Sequence, residues 1–252
     1  MKRNLFVAIT VALLLSACGR DFNLPVTNSD ATADEKYKVG VMNGVKLKIP
    51  EMMLDAGFTY EGEPRGLMLS TASTAATFDS RINDFAINVR LSDLQPIRTP
   101  QDRRDWIQAQ YHQLLQTTWM GVDFDNQYPL PTDKPPYGAR MLPNFGPFDM
   151  DSNKPFGLVH FESVQSVDDG DKNGQFHGHA EYFFDESSMT TIECETHRQV
   201  KEPFALFSSC HHRFLVPELH IVVTAYYRKK DLPRWREIES RVREIAHGFI
   251  VR

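Results

Sequence analysis

Apolar and polar residues alternate with a period of two along several stretches of this chain, and switch to three- and four-residue steps in two others. From Tyr37 to Ile49 the alternation is interrupted by Asn43-Gly44, the dipeptide that accepts positive φ at both central positions of a tight hairpin turn. Phe85, Ile87, Val89 and Leu91 alternate with Ala86, Asn88 and Arg90, which predicts a strand with one buried face. Thr99-Pro100 then supplies a cap and a first-turn proline. Ile107, Tyr111, Leu114, Leu115 and Thr118 follow at helical spacing, predicting a helix over about 100–119 with one face on the sheet. The strand pattern returns at about 156–166, 175–186, 189–197, 208–216 and 219–228. Its short connections call for antiparallel pairing. A last helix opens at Asp231-Leu-Pro-Arg-Trp235 and sets Trp235, Ile238, Val242, Ile245 and Phe249 on one stripe.

These patterns define an α+β protein of antiparallel sheets with two amphipathic helices. Residues 126–155 carry seven prolines among Tyr128, Tyr137, Phe145 and Phe148, and read as a long connection between an N-terminal unit, 37–125, and a C-terminal unit, 156–252. Long connections are often functional. Each unit ends in a strand and a proline-started helix with an early tryptophan, Trp106 or Trp235. Two readings are open, a pair of related halves or one domain that reuses a common arrangement.

The first residues belong to a different class of segment. Met1-Lys2-Arg3 precedes an apolar run from Leu5 to Leu15, then Ser16-Ala17-Cys18-Gly19, the order of an export signal. Eleven residues of helix at ~1.5 Å each extend roughly 16 Å, about half of the ~30 Å hydrocarbon core. Leu15-Ser16-Ala17-Cys18 resembles the lipobox of bacterial lipoproteins. That resemblance implies removal of residues 1–17, acylation of Cys18 and a lipid anchor on the periplasmic side of the envelope, with Gly19 matching the pattern sent to the outer membrane rather than the inner. Two or three acyl chains hold almost permanently where one binds reversibly. Residues 18–36 are polar and aperiodic, a flexible tether. Of 28 basic and 33 acidic residues the signal takes Lys2 and Arg3, so the mature body is near −7 and a poor match for nucleic acid.

With Cys18 acylated, Cys194 and Cys210 remain as an even pair in an oxidising compartment. They fall on predicted strands that a hairpin near Glu202 would bring into register, at a separation a disulfide spans. Closing such a loop stabilises by roughly 3 kcal/mol in the chain-entropy description. Free buried thiols are the alternative.

Several constellations suggest metal chemistry, each with a plainer reading beside it. Asp169-x-Asp171-x-Asn173-Gly174 matches the opening of a calcium loop, but the twelfth position is Ala180 in place of a bidentate Glu, so a polar hairpin turn is preferred. His177, His179 and Glu181 share one side of a strand, a zinc alternative. Phe176, Tyr182 and Phe184 on the other side read as the core face, which makes the histidine side the wet one. Cys194, His197, Cys210, His211 and His212 could form a Cys/His zinc cluster, which disulfide formation opposes. Gly-x-Ser-x-Gly, Ser-x-x-Lys and His-Glu-x-x-His do not occur. The expectation is a protein without cofactor or bound metal that does not act as an enzyme.

The run from Cys210 to Glu239, with the lipobox and Asn43-Gly-Val-Lys-Leu-Lys-Ile-Pro50, resembles lipoprotein immunity proteins that protect bacteria from periplasmic effectors of type VI secretion, notably phospholipases. The resemblance implies a protein-binding module whose partner is a secreted toxin. Envelope assembly or ligand binding by a lipoprotein is the alternative, and a metal-dependent hydrolase the remote one. Tyr128, Tyr137, Phe145 and Phe148 are the expected contact residues, since aromatic side chains on rigid loops make effective anchors.

Overall fold

The computed structural model describes residues 36–55, 57–63, 76–112, 118–129, 148–163, 178–185, 189–197 and 208–252. Residues 35–252 fold as one compact unit. The predicted hairpin is formed by β1 (Tyr37–Met42) and β2 (Val45–Pro50), with Met42 opposite Val45. Asn43 and Gly44 both take positive φ, 49° and 85°, the geometry that matches hairpin twist. Asn43 Nδ2 also donates to the carbonyls of Leu219 and His220, pinning the turn to a distant hairpin. Gly40 is required by a close approach. A Cβ there would lie 2.6 Å from the Ser80 carbonyl oxygen, just where Val41 N bonds that same oxygen at 2.8 Å.

The remaining strands build a single antiparallel sheet. In chain order they are β3 (Thr59–Tyr60), β4 (Ile82–Arg90), β5 (Trp119–Pro129), β6 (Phe148–Asp151), β7 (Val159–Ser163), β8 (Gly178–Phe184), β9 (Thr191–His197), β10 (Ser208–Val216) and β11 (Ile221–Arg228). Their spatial order is β3-β4-β5-β11-β10-β9-β8-β7-β6. Pairing of β5 with β11 therefore joins the two parts of the sequence inside one sheet.

Registers align one face of this sheet as a continuous apolar floor. Phe85 stands opposite Phe124, which stands opposite Val223; next to them run Ile87, Val122, Ala225, His212 and Ile192. Phe85 and Phe124 stack at 4.4 Å, and Phe249 packs edge-on against both. Helix α2 (Trp235–Gly248) covers the floor with the predicted stripe Trp235, Ile238, Val242, Ile245 and Phe249, all buried. Met42, Leu47 and Ile49 of the hairpin enter the same core, and the last residues pair with β2 through Lys48 N to Phe249 O and Val251 N to Lys46 O.

Three sequence expectations change. Helix α1 covers Pro100–His112 rather than 100–119. Trp119 already belongs to β5, and the Thr118 carbonyl accepts Leu91 N at 2.7 Å, so β-branched and aromatic residues follow strand preference there. Leu114 and Leu115 lie outside the described residues. Trp106 and Ile107 are only half-buried, and α1 is held largely by polar ties: Arg90 to Asp102 at 3.2 Å, and Arg103 to the carbonyls of Met52 and Leu54. Its cap follows the prediction, with Asp102 N donating to Thr99 Oγ1 and Thr99 N to Asp102 Oδ2. The 126–155 connection, secondly, contributes the end of β5 and all of β6 to the sheet.

The third change is the face assignment on β8. Phe183 belongs to the main core and Glu181, on the same side, is buried. The side expected to be wet thus faces the core in this part of the strand. Tyr182 and Phe184 are buried on the opposite face, where Phe184 packs edge-on against Phe161 at 5.6 Å. A strand buried on both sides carries no alternation from which to choose a face.

If α2 supplies the core and α1 is a half-buried flank, truncations in the two helices should differ. Ile238→Ala is expected to cost about 2–5 kcal/mol, and Ile107→Ala less than half of that. Paired urea unfolding curves check the ratio, and equal losses would contradict it.

Candidate functional site

Polar groups enter the core at two places beneath the sheet floor. On β10, His212 is fully buried, with Nδ1 3.1 Å from the Tyr227 hydroxyl and Nε2 3.4 Å from Glu239 Oε2. Glu239 takes a hydrogen bond from Thr190 Oγ1 at 2.8 Å, and Arg243, one turn along α2, reaches its other oxygen at 2.5 Å. Burial lowers the His212 pKa, a pull that outweighs the neighbouring Glu239. Desolvation pushes Glu239 up, but the facing His212, the hydrogen bond from Thr190 and the Arg243 charge bring it below the ordinary carboxylate value. Burial, with Asp231 and Glu239 nearby, raises the Tyr227 phenol far above its usual range. So the imidazole is neutral, the carboxylate is ionised and the phenol keeps its proton. The neutral ring meets the Tyr227 hydroxyl through Nδ1 and faces Glu239 with Nε2.

Tyr, His and Glu in this order resemble a proton relay, but its Tyr and His members are closed off from solvent and only Glu239 borders the groove beside α2. Tyr227 is 3% exposed and His212 is 0% exposed, and a phenol with a raised pKa is not an activated nucleophile. The trio anchors α2 to β10 and β11. The second place lies nearer the β6 edge. His160 Nδ1 is 3.3 Å from Asp151, its Nε2 is 3.4 Å from Glu181, and Lys229 bonds the other oxygen of Glu181. His160 also stacks flat on Phe183 at 4.5 Å. This row ties β6, β7 and β8 to the segment after β11.

Cys194 and Cys210 form a disulfide, directly opposed on β9 and β10 with Cα atoms 4.0 Å apart and both side chains buried. Both thiolates are thereby removed from the zinc alternative. His211 and His212 point to opposite faces; His211 meets the Tyr226 ring edge-on at 5.0 Å on the far side of the sheet. Among the described residues no three His, Cys, Asp or Glu groups converge as metal ligands. Cys18, Tyr137, Phe145, His177 and the Asp169–Gly174 loop lie outside the described residues. Tyr128, Phe148, His179 and His197 are placed as backbone positions on β5, β6, β8 and β9. β5 and β6 are six strand spacings apart, about 29 Å in a flat sheet at ~4.8 Å each.

Two surface features remain. On the face away from α2, Asp84, Asp123 and Asp125 line a 260 Å³ cleft with Gly57, Ala86, Phe85 and Phe124. Desolvation raises the Asp123 pKa, a hydrogen bond from Tyr226 opposes this, and Asp55, Asp125 and Asp84 add to the rise. Beside α2 runs a groove of about 610 Å³ lined by Trp235, Arg236, Ser240, Arg243 and His247 of the helix with Asp185, Glu218, Glu239 and Glu244. Sequence reasoning did not single out Glu239 or Glu218. A signal existed for the first: Glu239 interrupts the helical stripe at a position where an apolar residue would serve the core.

A nine-stranded antiparallel sheet with one helix sealing its apolar face is the class of fold these residues define. Two solved structures share it at a TM-score of 0.51. One is Smlt3025, an immunity protein of the Stenotrophomonas maltophilia type IV secretion system, at 10% identity over 86% of this chain and 94% of that one. The other is the Neisseria meningitidis iron-regulated outer membrane lipoprotein FrpD, at 16% identity over 86% of this chain and 93% of that one. At these identities the likeness is one of fold. No protein-family model and no curated protein matches the chain.

Two electrostatic predictions follow from the pKa shifts. His212 and Glu239 have folded pKa values below their unfolded ones, so the unfolded state binds more protons, and stability is lost as pH falls below about 6.5 and again through the carboxylate range. Glu239→Ala should cost about 3–5 kcal/mol at neutral pH, flatten the carboxylate part of that profile and steepen the part below about 6.5, because His212 loses the carboxylate that favours its charged form, measured by urea unfolding from pH 7.5 to 4. Asp123 has the opposite sign, with stability present at low pH and lost as pH rises through its folded value. Asp123→Asn is expected to raise Tm at pH 7 and to leave it unchanged at pH 3; a lower Tm at pH 7 would contradict the assignment.

Proposed function

We propose that this protein is a lipid-anchored immunity protein, held on the periplasmic face of the outer membrane, that binds a secreted bacterial toxin and blocks it by contact. The observation that carries the reading is the agreement of two independent features. The start of the chain resembles a lipoprotein signal ending at Cys18, and the folded body shares its architecture, nearly end to end, with a secretion-system immunity protein and with an outer membrane lipoprotein. The buried chemistry supports a binding role, because Tyr227 and His212 are buried in the core and the phenol holds its proton. A type VI effector of the phospholipase class is the partner that the sequence resemblance favours, with Tyr128, Tyr137, Phe145 and Phe148 contributing contacts. A negative body suits a basic partner, since opposite potentials speed encounter. The likeness to FrpD keeps a second reading in view, an envelope lipoprotein that binds an assembly partner or ligand.

The test is protection. Cells lacking the gene should be killed when the secreted protein encoded beside it reaches their periplasm, and survive when the wild-type gene is restored. Cys18→Ser, exported but unacylated, should protect at least tenfold less well, as colony counts report. Equal survival of the deletion and wild-type strains would overturn the immunity reading. Full protection by Tyr137→Ala and Phe145→Ala would remove those two from the contact surface.

A further inference from the structure

Between β6 and β7 the chain makes a single 3-10 turn, Pro155–Gly157, and at its centre Phe156 takes φ 58° and ψ 17°. A bulky side chain in the left-handed region is a backbone outlier, and such strain persists only where surrounding contacts impose it. Here the contacts are visible. The Phe156 carbonyl accepts Trp235 Nε1 at 3.1 Å and Arg236 Nη1 at 3.3 Å, while the Arg236 guanidinium lies 4.2 Å over the Trp235 ring. Gly157, also left-handed, lets that guanidinium come close. Glycine or asparagine would occupy position 156 without strain. The ring that stands there gains little inside, being 44% exposed with its centroid 6.4 Å from that of Phe183.

The turn borders the groove beside α2, because Trp235 and Arg236 belong to both. Four carboxylates (Asp185, Glu218, Glu239 and Glu244) and two guanidinium groups line that groove. Arg243 is committed to Glu239 and Glu244 to Arg241. Glu218 is exposed and has no ion pair among the described residues. An exposed aromatic ring on a clamped turn, next to a groove with an exposed carboxylate at Glu218, has the anatomy of a binding hot spot.

We infer that Phe156 and the groove bordered by Arg236 and Glu218 form the surface that grips the partner. Its occupant is a protein loop presenting a lysine or arginine beside an apolar side chain. The basic group meets Glu218, and the apolar one packs on Phe156. This inference rests on the protein-binding reading above and names its surface.

The test exploits the strain. Phe156→Asn removes the ring but suits the left-handed backbone, so Tm should stay within about 2 °C of wild type or rise, while the Kd for the neighbouring toxin, by calorimetry on the soluble body, increases at least tenfold. Glu218→Lys should slow association at low salt and abolish most of its salt dependence. Toxin binding by both variants at wild-type strength overturns the inference and leaves the immunity reading in place. A Phe156→Asn protein that loses stability in step with affinity also overturns it, by giving the ring a packing role. If the wild-type body itself fails to bind any toxin against which it protects cells, the contact reading falls, and this surface with it.

Discussion

The contact on which the rest of the structure depends is the seating of α2 on the floor of the sheet. Trp235, Ile238, Val242 and Ile245 bury one side of the helix, and burial of side chains of this size contributes about 1.5–3 kcal/mol each before entropy is counted. Within that apolar stripe the helix carries one carboxylate, Glu239, to a buried histidine on β10. A carboxylate in such a place is tolerated only when it is paired. Thr190 from the β9 side and Arg243 from the helix itself complete the pairing. The network ties α2 to the strands beneath it through named polar contacts.

From this seating the surface follows. Trp235 closes the core with its ring and, with its Nε1, fixes the Phe156 carbonyl. One residue thereby couples the packing of the helix to the shape of a turn on the outside. The groove beside α2 exists because the helix meets Glu218 and Asp185 at its border. On the opposite face burial raises the Asp123 pKa, and Asp55, Asp84 and Asp125 around it add to the rise against a hydrogen bond from Tyr226. One face is clamped from beneath, and the other carries a row of carboxylates.

The sequence revealed what short-range physics controls. Asn43-Gly44, the capped start of α1 and the five-residue stripe of α2 are local patterns, and all three are present. The Cys194–Cys210 bond was legible from compartment and register together. What was illegible depends on long-range placement. Glu181 and Tyr182 are both buried because β8 is covered on both sides, and alternation is silent there. The end of α1 was overestimated because Leu114, Leu115 and Thr118 continue a helical spacing even though Thr118 already pairs with Leu91. Phe156 gave no signal at all, since positive φ at a phenylalanine has no pattern in sequence; Glu239 gave one only as a charge out of place.

The most direct measurement of the central claim, that α2 and the turn it clamps present the partner-binding surface, is hydroxyl-radical footprinting of the body free and bound to its toxin. Phe156 and Tyr226 are both exposed aromatics, on the clamped and the acidic side. The account predicts that toxin shields Phe156 from oxidation and leaves Tyr226 as reactive as in the free protein. Shielding of Tyr226 with Phe156 oxidised at its free rate would contradict it.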